Sequence, residues 1–348
     1  MKILIASILP VDDITSWSGT CNAIYQQLTK NNEVKICYSP FAHSAQKRLA
    51  KYSYLYNKIT GKRLNVYFSR SIAKVYATKL ANDVEIFTPD LILCLGSGTE
   101  MYAYTPYIKT VLVADASFNL LQDEYPNYTN LNKAAIRESR EVEAISLAKF
   151  DTIFTTSSWA MDGFKSVYPR LNYKLINLGS NLAEGGYENN LFPSKKEDIK
   201  LLTIGTDYKR KGIAKAQELA DNMLCQLIQI GTYITIDKTI IKDVNLLTSF
   251  YKNAHFFVLF PKADCTPIVI NEANSFGLPV IAYPVGGIPT MIKHGTNGYI
   301  VNDLIEAKAQ IEYAIANPNI YKALRKSTFQ YYNDNLSWDI FEQKLLAE

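Results

Sequence analysis

Residues 255–302 read HFFVLFPKADCTPIVINEANSFGLPVIAYPVGGIPTMIKHGTNGYIVN. The run 255–260 is short and apolar, the pattern of a strand buried on both faces. A polar break follows at Lys262, Ala263, Asp264 and Cys265, and then come Thr266 and Pro267. Thr is a favoured N-cap and Pro suits the first helical position, so this pair predicts a helix start. Ile268, Val269, Ala273 and Phe276 would form the buried face of that helix. Gly277 would close it in a left-handed cap, with Pro279 just beyond. A second apolar run, 280–283, precedes Gly286 and Gly287. The stretch is strand, helix, strand, with Asp264 at the mouth of the first strand and Glu272 on the helix. The N–H groups at such a helix start bind phosphates, sugar oxygens or carboxylates. The functional site is expected here.

Asp264 and Glu272 are separated by seven residues, and Ala273, Phe276, Gly277, Pro279, Val280, Ile281, Gly286 and Gly287 follow at fixed offsets. This resembles the nucleotide-sugar signature of family 4 (group 1) retaining glycosyltransferases, which carries two Glu residues at that spacing. The likeness continues through Gly295 and Gly298. Asp264 departs from the family pattern: it keeps the charge of Glu but is one methylene shorter. Read from the residues alone, Asp264 caps a helix and Glu272 is solvated. Upstream, 201–205 predicts a strand and TDYKRKG follows at 206–212. This segment resembles the family's second signature, with Gly205, Lys211 and Gly212 matching and Thr206 in place of its Arg. A departing nucleoside diphosphate gathers charge, so cations are needed there. Lys211 fits that role, and Arg210 or Lys209 can replace the missing guanidinium. As a bare pattern, 209–211 is a solvated basic turn.

The resemblance implies an α/β protein of the GT-B fold, two facing Rossmann-like doubly wound domains with the active site in the cleft between them. It implies Glu272 on the ribose hydroxyls and Asp264 on the sugar hydroxyls. Backbone N–H groups at Cys265 and Thr266 would face the sugar, Pro267 and Ile268 would join them in the donor site, and Lys211 with a neighbouring cation would face the diphosphate. The activity implied is retaining transfer of a hexose-type sugar from a UDP- or GDP-sugar to a glycan or lipid-linked hydroxyl. Nothing resembles the Asp-x-Asp metal motif of the other large glycosyltransferase fold, so no metal or cofactor is expected. A nucleotide-sugar-binding relative without catalysis is the second reading, motivated by Thr206, Asp264 and a thin first glycine loop.

That glycine loop lies near the start of the chain. Residues 2–8 predict a buried strand, a polar loop holds Ser18, Gly19 and Thr20, and a helical pattern over 22–29 leads to a strand at 33–38. This is the opening of a doubly wound sheet, in which ligands gather at the carboxyl ends of strands. Gly19 lets backbone approach a pyrophosphate; a plain tight turn is the alternative. The absence of GxGxxG and of a P-loop argues against an NAD enzyme or an NTPase. Further strands are predicted at 91–95, 110–114 and 151–155. Asp115 ends the second of these. In the family an acceptor-side Asp stands in such a place, so Asp115 would orient the acceptor hydroxyl or the donor sugar, or else cap the next turn. The three histidines, His43, His255 and His294, all lie elsewhere in the sequence.

The chain of 348 residues suits two domains. The reading gives 1–180 as the first domain, 181–199 as a polar linker, 200–325 as the second, and 326–348 as a closing helix crossing back to the first, anchored by Trp338 and Phe341. A net charge of +4 does not by itself imply nucleic acid. No apolar run reaches the length of a transmembrane helix. The apolar start is better read as a strand than as a signal peptide, since Pro10, Asp12 and Asp13 follow it. Five scattered cysteines without CxxC spacing indicate a reducing cytoplasm.

One block stands apart. Residues 44–82 hold nine Lys or Arg and no acid, interleaved with five Tyr and one Phe. Helices are predicted on both sides of Gly61. The block reads as a peripheral face for the inner membrane surface, as a nucleic-acid surface, or as a solvated helix pair that buries its tyrosines. The last is the commonest meaning of such a run.

Overall fold

The computed structural model describes residues 1–14, 16–122, 124–182, 185–187, 192–193, 195–231 and 243–347. The chain forms two compact units, Met1–Ile176 and Asn177–Glu348.

The first unit is built on six parallel strands: β1 (Lys2–Ala6), β2 (Glu33–Cys37), β3 (Leu91–Leu95), β4 (Lys109–Ala114), β5 (Thr152–Thr155) and β6 (Tyr173–Leu175). Their order is β2-β1-β3-β4-β5-β6. Six helices accompany them: α1 (Thr20–Leu28), α2 (Pro40–Thr60), α3 (Arg70–Phe87), α4 (Phe118–Leu121), α5 (Lys133–Leu147) and α6 (Ser158–Val167). Leu91–Leu95 is buried at every position, as a parallel sheet covered on both faces requires. Gly61 adopts φ 68° and caps α2, so it separates the two basic helices as the sequence indicated.

Among the described residues the second unit holds five parallel strands: β7 (Lys200–Ile204), β8 (Gln226–Ile230), β9 (Phe256–Leu259), β10 (Val280–Ala282) and β11 (Gly298–Ile300). They stand in the order β11-β10-β9-β7-β8. The helices are α7 (Ile213–Met223), α8 (Val244–Asn253), α9 (Ile268–Ser275), α10 (Ile288–Met291), α11 (Leu304–Ala316), α12 (Pro318–Asn335) and α13 (Trp338–Leu346). Strand alternation divides the core. Phe256 and Val258 pack on one face with Ala216 and Leu219 of α7 and Ile311 of α11. Phe257 and Leu259 pack on the other with Tyr251 of α8 and Ile270 of α9.

In both sheets the strand order reverses once, between β1 and β3 in the first and between β7 and β9 in the second. Chains leaving adjacent strands in opposite directions open a crevice at the carboxyl ends, which is where ligands bind in such sheets. Residues 177–180 belong with the second unit. Asn271 Nδ2 donates to Leu178 O at 2.9 Å, and Trp338 Nε1 donates to Ser180 O at 2.7 Å. Trp338, edge-on to the fully buried Phe341, thus packs α13 against residues 179–180. The strand expected at 233–236 lies outside the described residues.

Candidate active site

The reversal between β7 and β9 brings the two signature segments together. After β7 the chain passes Gly205 and makes a tight turn in which Arg210 N donates to Asp207 Oδ1 at 3.0 Å and Lys211 N to Asp207 O at 2.9 Å. Gly212 follows with φ 68°, and a Cβ there would lie 1.8 Å from Phe260 O, so only glycine lets this turn press on the end of β9. Lys262 N donates to Arg210 O at 2.8 Å and stitches the two loops together.

Across that seam, Lys211 Nζ lies 2.5 Å from Asp264 Oδ2. Arg210 Nη1 stands 3.8 Å from the same oxygen and donates to Ala263 O at 2.9 Å. Asp264 is buried, so its charge depends on these two cations rather than on water. Of the two candidates for the missing guanidinium, Arg210 stands beside Asp264 and Lys209 is exposed. The loop after β10 closes over the group: Gly287 N donates to Asp264 O at 3.2 Å, and a Cβ on Gly286 would fall 1.9 Å from that oxygen.

Helix α9 begins at Ile268 with Pro267 as its N-cap, one residue later than Thr266 and Pro267 suggested. Pro267 has ψ 101°, outside the helical range, and Ile270 N closes the first turn on Pro267 O at 3.0 Å. The helix is polar inside. Asn274 and Asn297 share a hydrogen bond of 2.6 Å, and Ser275 Oγ bonds Glu272 O at 2.8 Å. Gly277 ends the helix with φ 61°, as expected.

Glu272 is buried rather than solvated. Its Oε2 accepts the Tyr251 hydroxyl at 2.7 Å, and the Tyr251 ring is stacked at 5.6 Å from Phe276 and 6.1 Å from Phe257. Burial pushes the Glu272 carboxyl up to about 7, with the Tyr251 hydroxyl and the Lys211 charge pulling it back. Tyr251 escaped the sequence reading because its hydroxyl meets Glu272 from another helix, and no local pattern records that pairing.

The first unit carries its own cluster at the β1–β3 reversal. Trp17 (φ 48°) and Ser18 (φ 54°) precede Gly19 (φ 86°), three left-handed residues in succession. Left-handed backbone at non-glycine residues costs about 1–3 kcal/mol each and persists where the surroundings enforce it. Here Trp17 Nε1 donates to Asp115 Oδ2 at 2.8 Å, joining this loop to the end of β4. Thr20, buried, starts α1 directly afterwards, two residues ahead of the expected start. Gly19 and Thr20 therefore belong with Asp115 in the first unit, and the remaining candidates belong to the second. His255 is a structural residue: its Nδ1 accepts Lys200 N at 3.0 Å at the opposite end of β9 from Asp264.

Comparison with known proteins defines the class. Two parallel Rossmann-like sheets of this kind make the GT-B architecture. The whole chain superposes on sucrose-phosphate synthase from Thermosynechococcus elongatus with a TM-score of 0.67 at 14% identity, covering 99% of this chain and 97% of that one. The Anabaena HepE protein in complex with UDP and glucose gives a TM-score of 0.59 at 12% identity, covering 100% and 98%. At such identities the likeness is one of fold. Residues 191–331, most of the second unit, match the model of glycosyl transferases group 1. An uncharacterized glycosyltransferase of Haemophilus influenzae is 23% identical over 128 residues, 36% of this chain; the match spans 32% of that relative's length.

Proposed function

We propose that the protein is a retaining glycosyltransferase of family 4, moving a hexose-type sugar from a nucleotide-sugar to a hydroxyl of a glycan or lipid-linked acceptor. The observation that carries this reading is the Lys211–Asp264 pair at the strand-order reversal of a group 1 domain, with Arg210 beside it and Glu272 on the adjoining helix. Lys211 and Arg210 receive the charge of the departing diphosphate. Glu272, oriented by Tyr251, takes the ribose hydroxyls, and Asp264 the sugar hydroxyls. The first turn of α9 offers backbone N–H groups to the sugar. UDP is the favoured nucleotide, on the likeness to a UDP-bound GT-B protein.

The C1–O bond to the diphosphate breaks with its electron pair leaving on the phosphate. The acceptor oxygen attacks C1 from the same face, and its proton passes to the departing phosphate oxygen. Asp115 orients that hydroxyl. No protein nucleophile is required, and with two cations serving the diphosphate the transfer is metal-independent; loss of turnover in EDTA, restored by Mn²⁺, would overturn that part.

The test is a donor screen with UDP-glucose, UDP-galactose, UDP-N-acetylglucosamine and GDP-mannose, reading released nucleoside diphosphate, with Glu272→Ala in parallel. Release from one donor, lost in the variant, is the expected result. Donor binding without release in the presence of acceptors would instead favour a binding protein.

A further inference from the structure

Helix α2 puts a second functional surface on the first unit. Its buried side is small and polar: Ala42, Gln46 and Ser53 face inward. Its solvent side is not. Phe41 is 65% exposed, Tyr52 70%, Leu55 55% and Ile59 85%. At about 100° per residue, Phe41, Tyr52, Leu55 and Ile59 fall in one row along the helix. Lys47, Lys51 and Lys58 form the next row, and the exposed Arg48 lies within the apolar one, between Leu55 and Ile59. Among the described residues none of these four cations forms an ion pair, and residues 40–82 contain no acid. A solvated helix pair would bury its tyrosines, yet Tyr52 and Tyr54 are exposed and only Tyr76 is fully enclosed.

We propose that this face of α2 is the surface by which the protein lies on an anionic lipid bilayer. The occupant follows from the chemistry. A helix of 21 residues is about 31 Å long, and an apolar row beside a lysine row is the arrangement that beds side chains among acyl chains while ammonium groups meet phosphates. A symmetric contact with a second copy would set these cations against their own counterparts, which like charges oppose. Aliphatic Leu55 and Ile59 offer nothing to stack on nucleic-acid bases. None of these α2 residues is among those assigned to the proposed transfer.

The test is co-sedimentation of the full chain with phosphatidylcholine vesicles, with and without phosphatidylglycerol. Two variants accompany it: Lys47→Gln/Lys51→Gln/Lys58→Gln and Leu55→Ser/Ile59→Ser. All five positions face solvent, so thermal melting should match the wild type. Binding is expected only with phosphatidylglycerol present and should fall with salt. The lysine variant should lose roughly fivefold in partitioning for each charge removed, and the apolar variant should lose binding at every salt concentration. The proposal is overturned if the protein stays in the supernatant with phosphatidylglycerol at low salt, or if both variants bind like the wild type. It is also overturned if the wild type is an oligomer that Leu55→Ser/Ile59→Ser disperses, or if it is retained by RNA and not by vesicles.

Discussion

Tyr251 gives its hydroxyl to Glu272 at 2.7 Å from the centre of a stack formed with Phe257 and Phe276. In the proposed function the acid therefore meets the ribose already aimed. In Tyr251→Phe the stack survives and the hydrogen bond does not, a loss of about 1–2 kcal/mol. Donor KM should rise about tenfold, which is ~1.4 kcal/mol, with kcat nearly unchanged. Steady-state kinetics against donor concentration will separate the two, and an unchanged KM would remove Tyr251 from the site.

Lys211 carries more. Lys211→Met leaves Asp264 buried with only Arg210, at 3.8 Å, and strips the diphosphate of a cation. A fall of about 10²–10³ in kcat/KM is expected, the size seen when a developing negative charge loses one preorganised partner. Lys211→Arg should recover little, because the space beside Gly205 is filled by the lysine stem. Full activity in Lys211→Met would overturn the assignment.

Three buried carboxyls set the pH dependence of folding. Burial raises Glu100, Glu143 and Glu272 each from 4.5 to about 7. A raised acid contributes stability that is complete below about 4.5 and is lost as pH climbs through 7. His255, lowered by burial to about 4, acts the other way between about 4 and 6.5, and His43 is lowered as well. The carboxyls outnumber the histidines, so the urea midpoint should fall from pH 5 to pH 7.5. Glu143→Gln should flatten that slope, its amide oxygen accepting Phe118 N while its NH2 donates to the Tyr168 hydroxyl oxygen. A midpoint that rose with pH would contradict this.

Trp17→Phe keeps the ring and deletes the donor to Asp115. If Asp115 orients the acceptor, kcat should drop about tenfold, ~1.4 kcal/mol in the barrier, while calorimetric UDP affinity stays the same. Equal losses in both would show that the loop serves the donor instead.

The second sheet and its site were largely legible because each rested on a local rule. The apolar run 255–260 contained β9, Gly277 took its left-handed φ, and the two motif segments, 206–212 and 264–272, lie side by side at Asp264. The helix start slipped by a residue because Pro267 took the N-cap conformation itself, a choice made by ψ rather than by residue type. Tertiary relations were not legible. A left-handed φ is expected of glycine, yet Trp17 and Ser18 adopt it, with the Trp17 indole held by a side chain 98 positions away. Glu143 sits in the charged run of α5, and only the fold encloses it. Tyr52 and Tyr54 erred in the opposite sense, being aromatic and left outside.

The polar interior of α9 bears on how such a protein can change. Asn271 is tied to Leu178, Glu272 to Tyr251 and Asn274 to Asn297, so consecutive turns of one short helix answer to different parts of the unit. Almost any substitution there would strand a buried partner, and selection would meet misfolding before it met a new preference. Variation is therefore channelled to exposed positions of the neighbouring turn, such as Thr206 and Lys209. Lineages descended from this sequence would diversify at such positions while the helix stayed as it is.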